Sequence, residues 1–453
     1  MAIRRARRAG TEIVASVTAA APRAVDPVAV VTASRRPGEE WFCFEQPDRG
    51  GYAVAGLGCL RQLVGGGDER FVTLSRHWSA VSAAAVADPV QAPPGSGLIA
   101  VGGFSFDPQG GQSPTWEGFP PACLTVPAVS LARGGSHTAV TLNVSVAPDD
   151  TPEEIMQGLA ERLDGLRSSA LPMLDLSPTG SHELRSLMPP SHYEHAVAAA
   201  VDRIRAGQLE KVVLAREVEV QAPLAPDPAA ILGLLRNEFP SCYVFAVGSG
   251  EATFLAASPE LLVRREGQRA STVALAGSIG RSADPAVDDH LGERLLRSDK
   301  DRHENEIVVR AISQMLGPHA LWVTAAPEPV LVKVANIQHL ATPIRAQLTS
   351  PIPAVELAGV LHPTPAVGGH PRERAVELIP ALEGLDRGWY AGAVGWTDGT
   401  GDGEFCVALR CALLRGALAR LYAGCGIVRD SDPPAELAEA EIKLGALLPL
   451  LAG

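Results

Sequence analysis

The chain has 453 residues, 46% hydrophobic and 20% charged, which is enough for a large core and excludes whole-chain disorder. Acids outnumber bases 51 to 39, a formal charge of -12, whereas a general nucleic-acid binder leans the other way. No apolar run approaches the about 18 residues that span a bilayer, and seven scattered cysteines without a CxxC pair suggest neither a disulfide framework nor a zinc cluster. The composition reads as a soluble, reduced, cytoplasmic protein that binds no nucleic acid and no membrane.

The start, Arg4-Arg5-Ala6-Arg7-Arg8, is basic with no apolar signal segment behind it, and reads as a solvated tail. Residues 28–32 and 139–146, rich in β-branched side chains, predict strands. Thr151, followed by Pro152, Glu153 and Glu154, predicts a capped helix reaching toward Leu166. Residues 171–190 hold four prolines and a glycine and read as a connector. Ser191 and Glu194 form a capping-box pair, opening a helix that stops near Gly207. Residues 211–220 predict a strand with Lys211, Val213 and Ala215 on one face. Further strands fall near 243–247, 253–257 and 261–265. A hairpin turns at Asp398-Gly399-Thr400-Gly401-Asp402-Gly403, with strands over 390–396 and 404–414. The order of elements predicts antiparallel sheets with helices outside, an α+β fold.

Only four lysines, Lys211, Lys300, Lys333 and Lys443, stand among 39 basic residues. Arginine serves wherever a generic positive charge is enough, so a retained lysine marks a place where an amine able to shed its proton is useful, unless biased codon supply alone left four at random. On the helix through residues 299–311, Glu304 shares an apolar stripe with Ile307, Val308, Ala311 and Met315, while Glu306 falls on the polar side. A carboxylate there needs a partner; Lys300, four residues earlier, is one candidate and a metal ion another. After Pro433-Pro434, Glu436, Glu439 and Lys443 lie on one stripe of a helix. Either that stripe is a solvated charged face, or its two acids join Glu304 in a three-carboxylate site whose hard oxygens suit magnesium. Arg410 alternates with Cys406, Ala408 and Ala412, a setting with room for a carboxylate ligand. Gly424 and Gly426 flank Cys425 where bare backbone can approach a ligand.

A series of ordered motifs resembles the chorismate-utilising enzymes. It begins with Leu209-Glu210-Lys211-Val212-Val213-Leu214-Ala215-Arg216, Ser258-Pro259-Glu260-Leu261-Leu262, Ala274-Leu275-Ala276-Gly277-Ser278 and Asp301-Arg302-His303-Glu304-Asn305-Glu306. It continues with Gln338-His339-Leu340-Ala341-Thr342-Pro343, His362-Pro363-Thr364-Pro365-Ala366, Gly395-Trp396, Leu409-Arg410-Cys411-Ala412, Ala423-Gly424-Cys425-Gly426-Ile427-Val428 and the segment from Glu436 to Lys443. The N-terminal part matches more weakly, chiefly through Gly102-Gly103-Phe104-Ser105-Phe106-Asp107-Pro108. The resemblance implies one large α+β unit of two antiparallel sheets packed together with helices outside. Residues 1–185 would form its N-terminal part and 186–453 the chorismate-binding catalytic region.

Within that family the resemblance implies the isochorismate branch, which adds water at ring carbon 2 and expels the hydroxyl at carbon 4. Lys211 matches the base and Glu260 the acid; such a lysine must be partly neutral, which desolvation or nearby cations can arrange. Glu304 and Glu439, with Glu436 close by, would hold magnesium against the ring carboxylate. Arg410 and Lys443 would hold carboxylates, with backbone contacts from Gly277 and Gly424, and Ser278, His339, Thr364 and Tyr390 completing the substrate pocket. Ala276 stands where the aminodeoxychorismate branch carries a lysine nucleophile, so no covalent adduct is expected, and no glutaminase partner is expected either. Two readings compete: a salicylate synthase, which goes on to eliminate pyruvate, and a catalytically idle chorismate- or partner-binding protein on the same scaffold. Monomer and homodimer both stay open, as does the use of the product for menaquinone, a siderophore or another pathway.

Overall fold

The computed structural model describes residues 1–88, 92–175 and 180–452. Among these, the strands form two sheets of thirteen and ten strands flanked by helices, an α+β fold. Pairing is antiparallel throughout except where Val86–Ala87 runs beside Ile13–Ala21. Both sheets are shared between early and late parts of the chain: Gly38–Gln46 pairs with Tyr243–Gly250 in the larger, and Ile99–Phe104 with Ala393–Asp398 in the smaller. No helix of the described residues is long and apolar enough to cross a membrane.

The main core lies between the sheets. Phe42, Phe44, Phe245 and Phe254 from the larger sheet share it with Val101, Phe104, Val263 and Phe405 from the smaller. The alternate residues Trp41, Cys43, Val244 and Ala246 enter a second core under helices on the larger sheet's other face. A strand covered on both faces reads as a continuous apolar run, which is why the alternation is faint in 243–247.

Strands pass directly from one sheet to the other. Ala252–Ser258 lies in the larger sheet and Leu261–Glu266 in the smaller, so Pro259 and Glu260 form a crossing. A second crossing corrects the predicted 404–414 strand. It breaks into Gly403–Val407 in the smaller sheet and Cys411–Arg415 in the larger, with Arg410 between them in the left-handed region at φ 50°. Arg410 therefore does not alternate along one strand with Cys406, Ala408 and Ala412. The crossings are bonded to each other: Val407 N–H donates to Glu260 O at 3.0 Å and Ala257 N–H to Arg410 O at 3.1 Å.

Several local expectations hold. The Thr151 capping box closes on Pro152–Asp164, and strands His137–Val146 and Lys211–Gln221 form. Others are corrected. Residues 28–32 belong to a helix, Pro27–Ser34, because the Asp26 carboxylate caps it by accepting from Val28 and Ala29 N–H, overriding β-branched propensity. Ser191 makes no cap bond; Pro189 holds the N-cap position two residues earlier and the helix runs Pro190–Arg205, with proline presetting the first turn. The connector contains a strand, Glu183–Ser186, paired with the Lys211–Gln221 strand, and its residues 176–179 lie outside the described residues. The basic start is a docked helix, Ala2–Ala9. Ala6 packs with Ile13 and Val146, and Arg5 donates to Ala83 O at 2.7 Å and Ala85 O at 3.1 Å.

A buried carboxylate stitches the sheets together. Glu404, on the smaller sheet, accepts from Arg49 at 2.6 and 2.8 Å, from Arg264 at 2.9 and 2.6 Å, and from the Tyr243 hydroxyl at 2.9 Å. Burial alone would raise its pKa, but the hydrogen bond and charge of Arg49, with those of Arg264, hold it below the usual range. Such a group stabilises the fold above the ordinary glutamate range, and that stabilisation is lost as pH falls through its depressed pKa. Glu404→Gln should lower stability at neutral pH by about 1.5–3 kcal/mol, the scale of a hydrogen bond to a charged group. The deficit, read by denaturant titration, should shrink as the solution is acidified; an equal deficit at every pH would contradict the pairing.

Candidate active site

The two crossings open into a cavity of about 650 Å³ of open space. Of the residues expected at a site, Glu260, Gly277, Ser278, Glu304, His339, Tyr390, Arg410, Gly424, Glu439 and Lys443 line it. Lys211, Thr364 and Glu436 stand just behind the wall. Strand Arg269–Gly280 slips register between Leu275 and Ser278, and this bulge turns Ala276, Gly277 and Ser278 toward the opening. Helix Asp299–Leu316 is fixed across the same strand by Asn305, whose Nδ2 donates to the Ala274, Ala276 and Leu340 carbonyls and whose Oδ1 accepts from Thr342.

Each acid of the expected metal site has its own lysine. Lys211 Nζ lies 2.8 Å from Glu304 Oε1, Lys300 Nζ 3.0 Å from Glu436 Oε1, and Lys443 Nζ 2.7 Å from Glu439 Oε1. Lys300 thus pairs across to the helix Pro433–Leu444 and not with Glu304 on its own helix. Lys211 is fully enclosed, and its contact with Glu304 is an ion pair without hydrogen-bond alignment. Lys333, the fourth lysine, sits apart with Asp288 and Asp289.

The electrostatics divide the acids by role. Burial raises the Glu260 pKa to about 8, against the pull of Lys211, Arg410, a Thr364 hydrogen bond and Lys443. Burial would raise Glu439 too, but the charge and hydrogen bond of Lys443 and a 2.6 Å hydrogen bond from Ser278 Oγ hold it at about 2. Glu436 is raised by burial and by Glu439. Burial, Arg410 and Lys443 push His339 well below its ordinary value. The neutral ring therefore accepts at Nε2 from Arg410 Nη2, 2.9 Å away, and steers that guanidinium.

The donor chemistry fits a hard divalent cation. Glu436 and Glu439 offer oxygens within 4.8 Å of each other and of Cys425 Sγ. Burial keeps that thiol protonated, and it donates to Glu436 O, leaving the oxygens as the ligands. Glu304 faces Lys211 and lies outside this close group. It shares the neighbourhood all the same, since Lys300 keeps its proton, against burial, through Glu436, Glu304 and Glu439 together.

Sequence reasoning missed the apolar walls, including Val213, Leu409 and Tyr422, since apolar lining resembles core. The sequence marks Gly426, with Gly424, only as bare backbone that a ligand can approach, not as a neighbour of Glu304 and Lys211. A Cβ there would crowd Glu304 Oε1 and stand 2.7 Å from Lys211 Cε, so this glycine leaves the room that Glu304, on the cavity wall, and Lys211, behind it, both occupy.

Comparison with known proteins gives a consistent picture. A family model described as chorismate binding enzyme matches residues 1–452. The salicylate biosynthesis isochorismate synthase of Pseudomonas aeruginosa is 39% identical over 406 residues, 89% of this chain and 83% of that protein. The isochorismate synthase MenF of Bacillus subtilis is 36% identical over 359 residues, 79% and 75% of the two chains. The solved structure of the menaquinone-specific isochorismate synthase MenF of Escherichia coli superposes with a TM-score of 0.81 at 27% identity, covering 100% of both chains.

Gly426→Ala tests this room. The added methyl must displace Glu304 and Lys211 together, so turnover should fall about 10²-fold, the scale of an ångström-sized misplacement. Circular dichroism should stay native, and unchanged turnover would show that neither side chain depends on this room.

Proposed function

This chain belongs to the chorismate binding enzyme family, and we propose that it converts chorismate to isochorismate with magnesium as cofactor. The observation that carries the reading is Glu260, a buried carboxyl held protonated at neutral pH, in a cavity that also holds Arg410 and Lys443 and abuts Lys211. A neutral acid beside a lysine suits addition of water at one carbon and departure of hydroxyl from another. The two cations suit a substrate with two carboxylates, and the relatives' names share isochorismate formation.

Lys211, behind the cavity wall beside Gly426, takes the proton from a water attacking ring carbon 2. The ring double bonds shift, and the carbon 4 hydroxyl leaves as water with the proton of Glu260. One water enters and one leaves, so the reaction is an isomerisation. Arg410, oriented by His339, and Lys443 hold the carboxylates. Ser278 and Lys443 keep Glu439 ionised, and Thr364 acts from behind by hydrogen-bonding Glu260. Glu304, Glu436 and Glu439 would hold magnesium, which neutralises the ring carboxylate of the substrate. The absence of a lysine at Ala276 accords with a non-covalent route. The reaction needs no glutaminase partner, and a cytoplasmic location suits a reduced, cysteine-bearing chain.

Turnover of chorismate with magnesium in 18O-labelled water should place label in the new hydroxyl, unchanged by added ammonium. Chelation should abolish turnover and magnesium restore it. Salicylate with pyruvate as main products would move the chain to a neighbouring branch, and no turnover would favour an idle binder.

Glu260→Gln cannot deliver a proton and should lower kcat by about 10²–10⁴. In the unsubstituted enzyme kcat should fall as pH rises through about 8, where Glu260 ionises. An activity flat to pH 10 would remove Glu260 as the acid.

A further inference from the structure

One edge of the Lys211–Gln221 strand has a gap. Lys211 and Val212 pair there with His370 and Gly369, and Val218 to Gln221 pair with the Glu183–Ser186 strand. Between these partners no strand among the described residues covers the edge. Val213 N–H donates to Gly368 O, but the Val213 carbonyl and the Ala215 N–H need other partners, and buried backbone groups are costly when unmet. They are met by two side chains, Glu383 at the end of helix Arg372–Glu383 and Arg387 in the loop that follows. Glu383 Oε1 accepts from Ala215 N–H at 2.7 Å, and Arg387 Nη2 donates to Val213 O at 2.9 Å.

Glu383 and Arg387 are themselves a buried ion pair, 1% and 2% exposed at the side chain. Arg387 spends its remaining donors on the pocket. Nη1 bonds the Val367 carbonyl at 2.9 Å, Nε bonds Glu383 Oε2 at 3.0 Å, and the guanidinium lies 5.6 Å from the Tyr390 ring and 4.2 Å from that of Phe106. Val213, Val367 and Tyr390 all line the cavity. One guanidinium therefore ties together three walls of the site, one of them two residues from Lys211, without touching the opening itself.

We propose that Glu383 and Arg387 are a positioning pair, standing in for a missing strand so that the Lys211 strand, the loop at Val367 and Tyr390 keep the spacing that turnover requires. The pair rests on the function proposed above for its rate readout, but not for its effect on Lys211. A buried pair replaced by neutral residues is often tolerated, whereas removing one partner strands the other's charge. Arg387→Met alone should lower the melting temperature sharply. Glu383→Gln with Arg387→Met should recover part of that loss, since no charge is left buried although the Val213 and Val367 carbonyls still lack a donor.

The test is what else the double variant recovers. With kcat and KM measured well below its melting temperature, kcat should stay down about 10²-fold while KM moves little, because a folded but respaced site misplaces the reacting groups. Added guanidinium should raise the kcat of Arg387→Ala. Labelling with 13Cε-lysine gives four signals, that of Lys211 being assigned by its loss in Lys211→Ala, and the Lys211 signal should shift in the double variant without any substrate. Return of kcat together with the melting temperature, with an unmoved Lys211 signal, would overturn the proposal and leave the pair purely structural. If the enzyme makes another product from chorismate, the function reading fails, and the Lys211 signal still decides this one.

Discussion

Three lysine–glutamate pairs meet at one corner of this molecule, and its most deeply buried members, Lys211 and Glu436, could not stand there as lone charges. An isolated charge in an apolar interior costs several kcal/mol or more. Pairing Glu304 with Lys211, Glu436 with Lys300 and Glu439 with Lys443 offsets part of that cost. Glu260 follows the other course available to a buried acid and keeps its proton. The corner thus holds in Glu439 an acid kept ionised by Lys443 and Ser278 and in Glu260 one that burial keeps neutral, suited to proton delivery.

What makes such a corner is the passage of strands between sheets. A regular strand satisfies its own backbone and turns its side chains to the two faces, leaving little space. At Ser258-Pro259-Glu260 and at Leu409-Arg410 the ladders stop, and the two crossings bond each other's backbone. Arg410 accepts a left-handed conformation there, a local strain that the surrounding bonds hold in place. The bulge at Ala276 and Gly277 and the bare Gly426 enlarge the opening from the two neighbouring strands.

The readings that held share a cause: they depended on short spacings. Glu304 on an apolar stripe, Glu436, Glu439 and Lys443 on another, and the Thr151 box are repeats within a few turns of one helix, where geometry is the same in any fold. The readings that failed were overruled by a competing interaction, sometimes a neighbouring residue and sometimes a distant one. The 28–32 segment has strand propensity, yet Asp26 caps it into a helix. The 404–414 run looks continuous, yet the two sheets claim its halves. Lys300 is four residues from Glu304, yet Glu436, distant in sequence, takes its ammonium.

Sequence alone determined the α+β class, the ordered motifs of the chorismate-utilising family, the acid stripes, and an unusual economy of lysine. These follow from local periodicity and from residue chemistry, which the order of the chain carries openly. Tertiary structure decided which lysine meets which acid, that Lys211 is enclosed behind Gly426, that His339 is a neutral acceptor for Arg410, and that Glu383 and Arg387 fill a gap in a strand's edge. Those are contacts between residues up to hundreds of positions apart. Their energies depend on burial and on angles of approach, and neither exists until the two sheets have closed on each other.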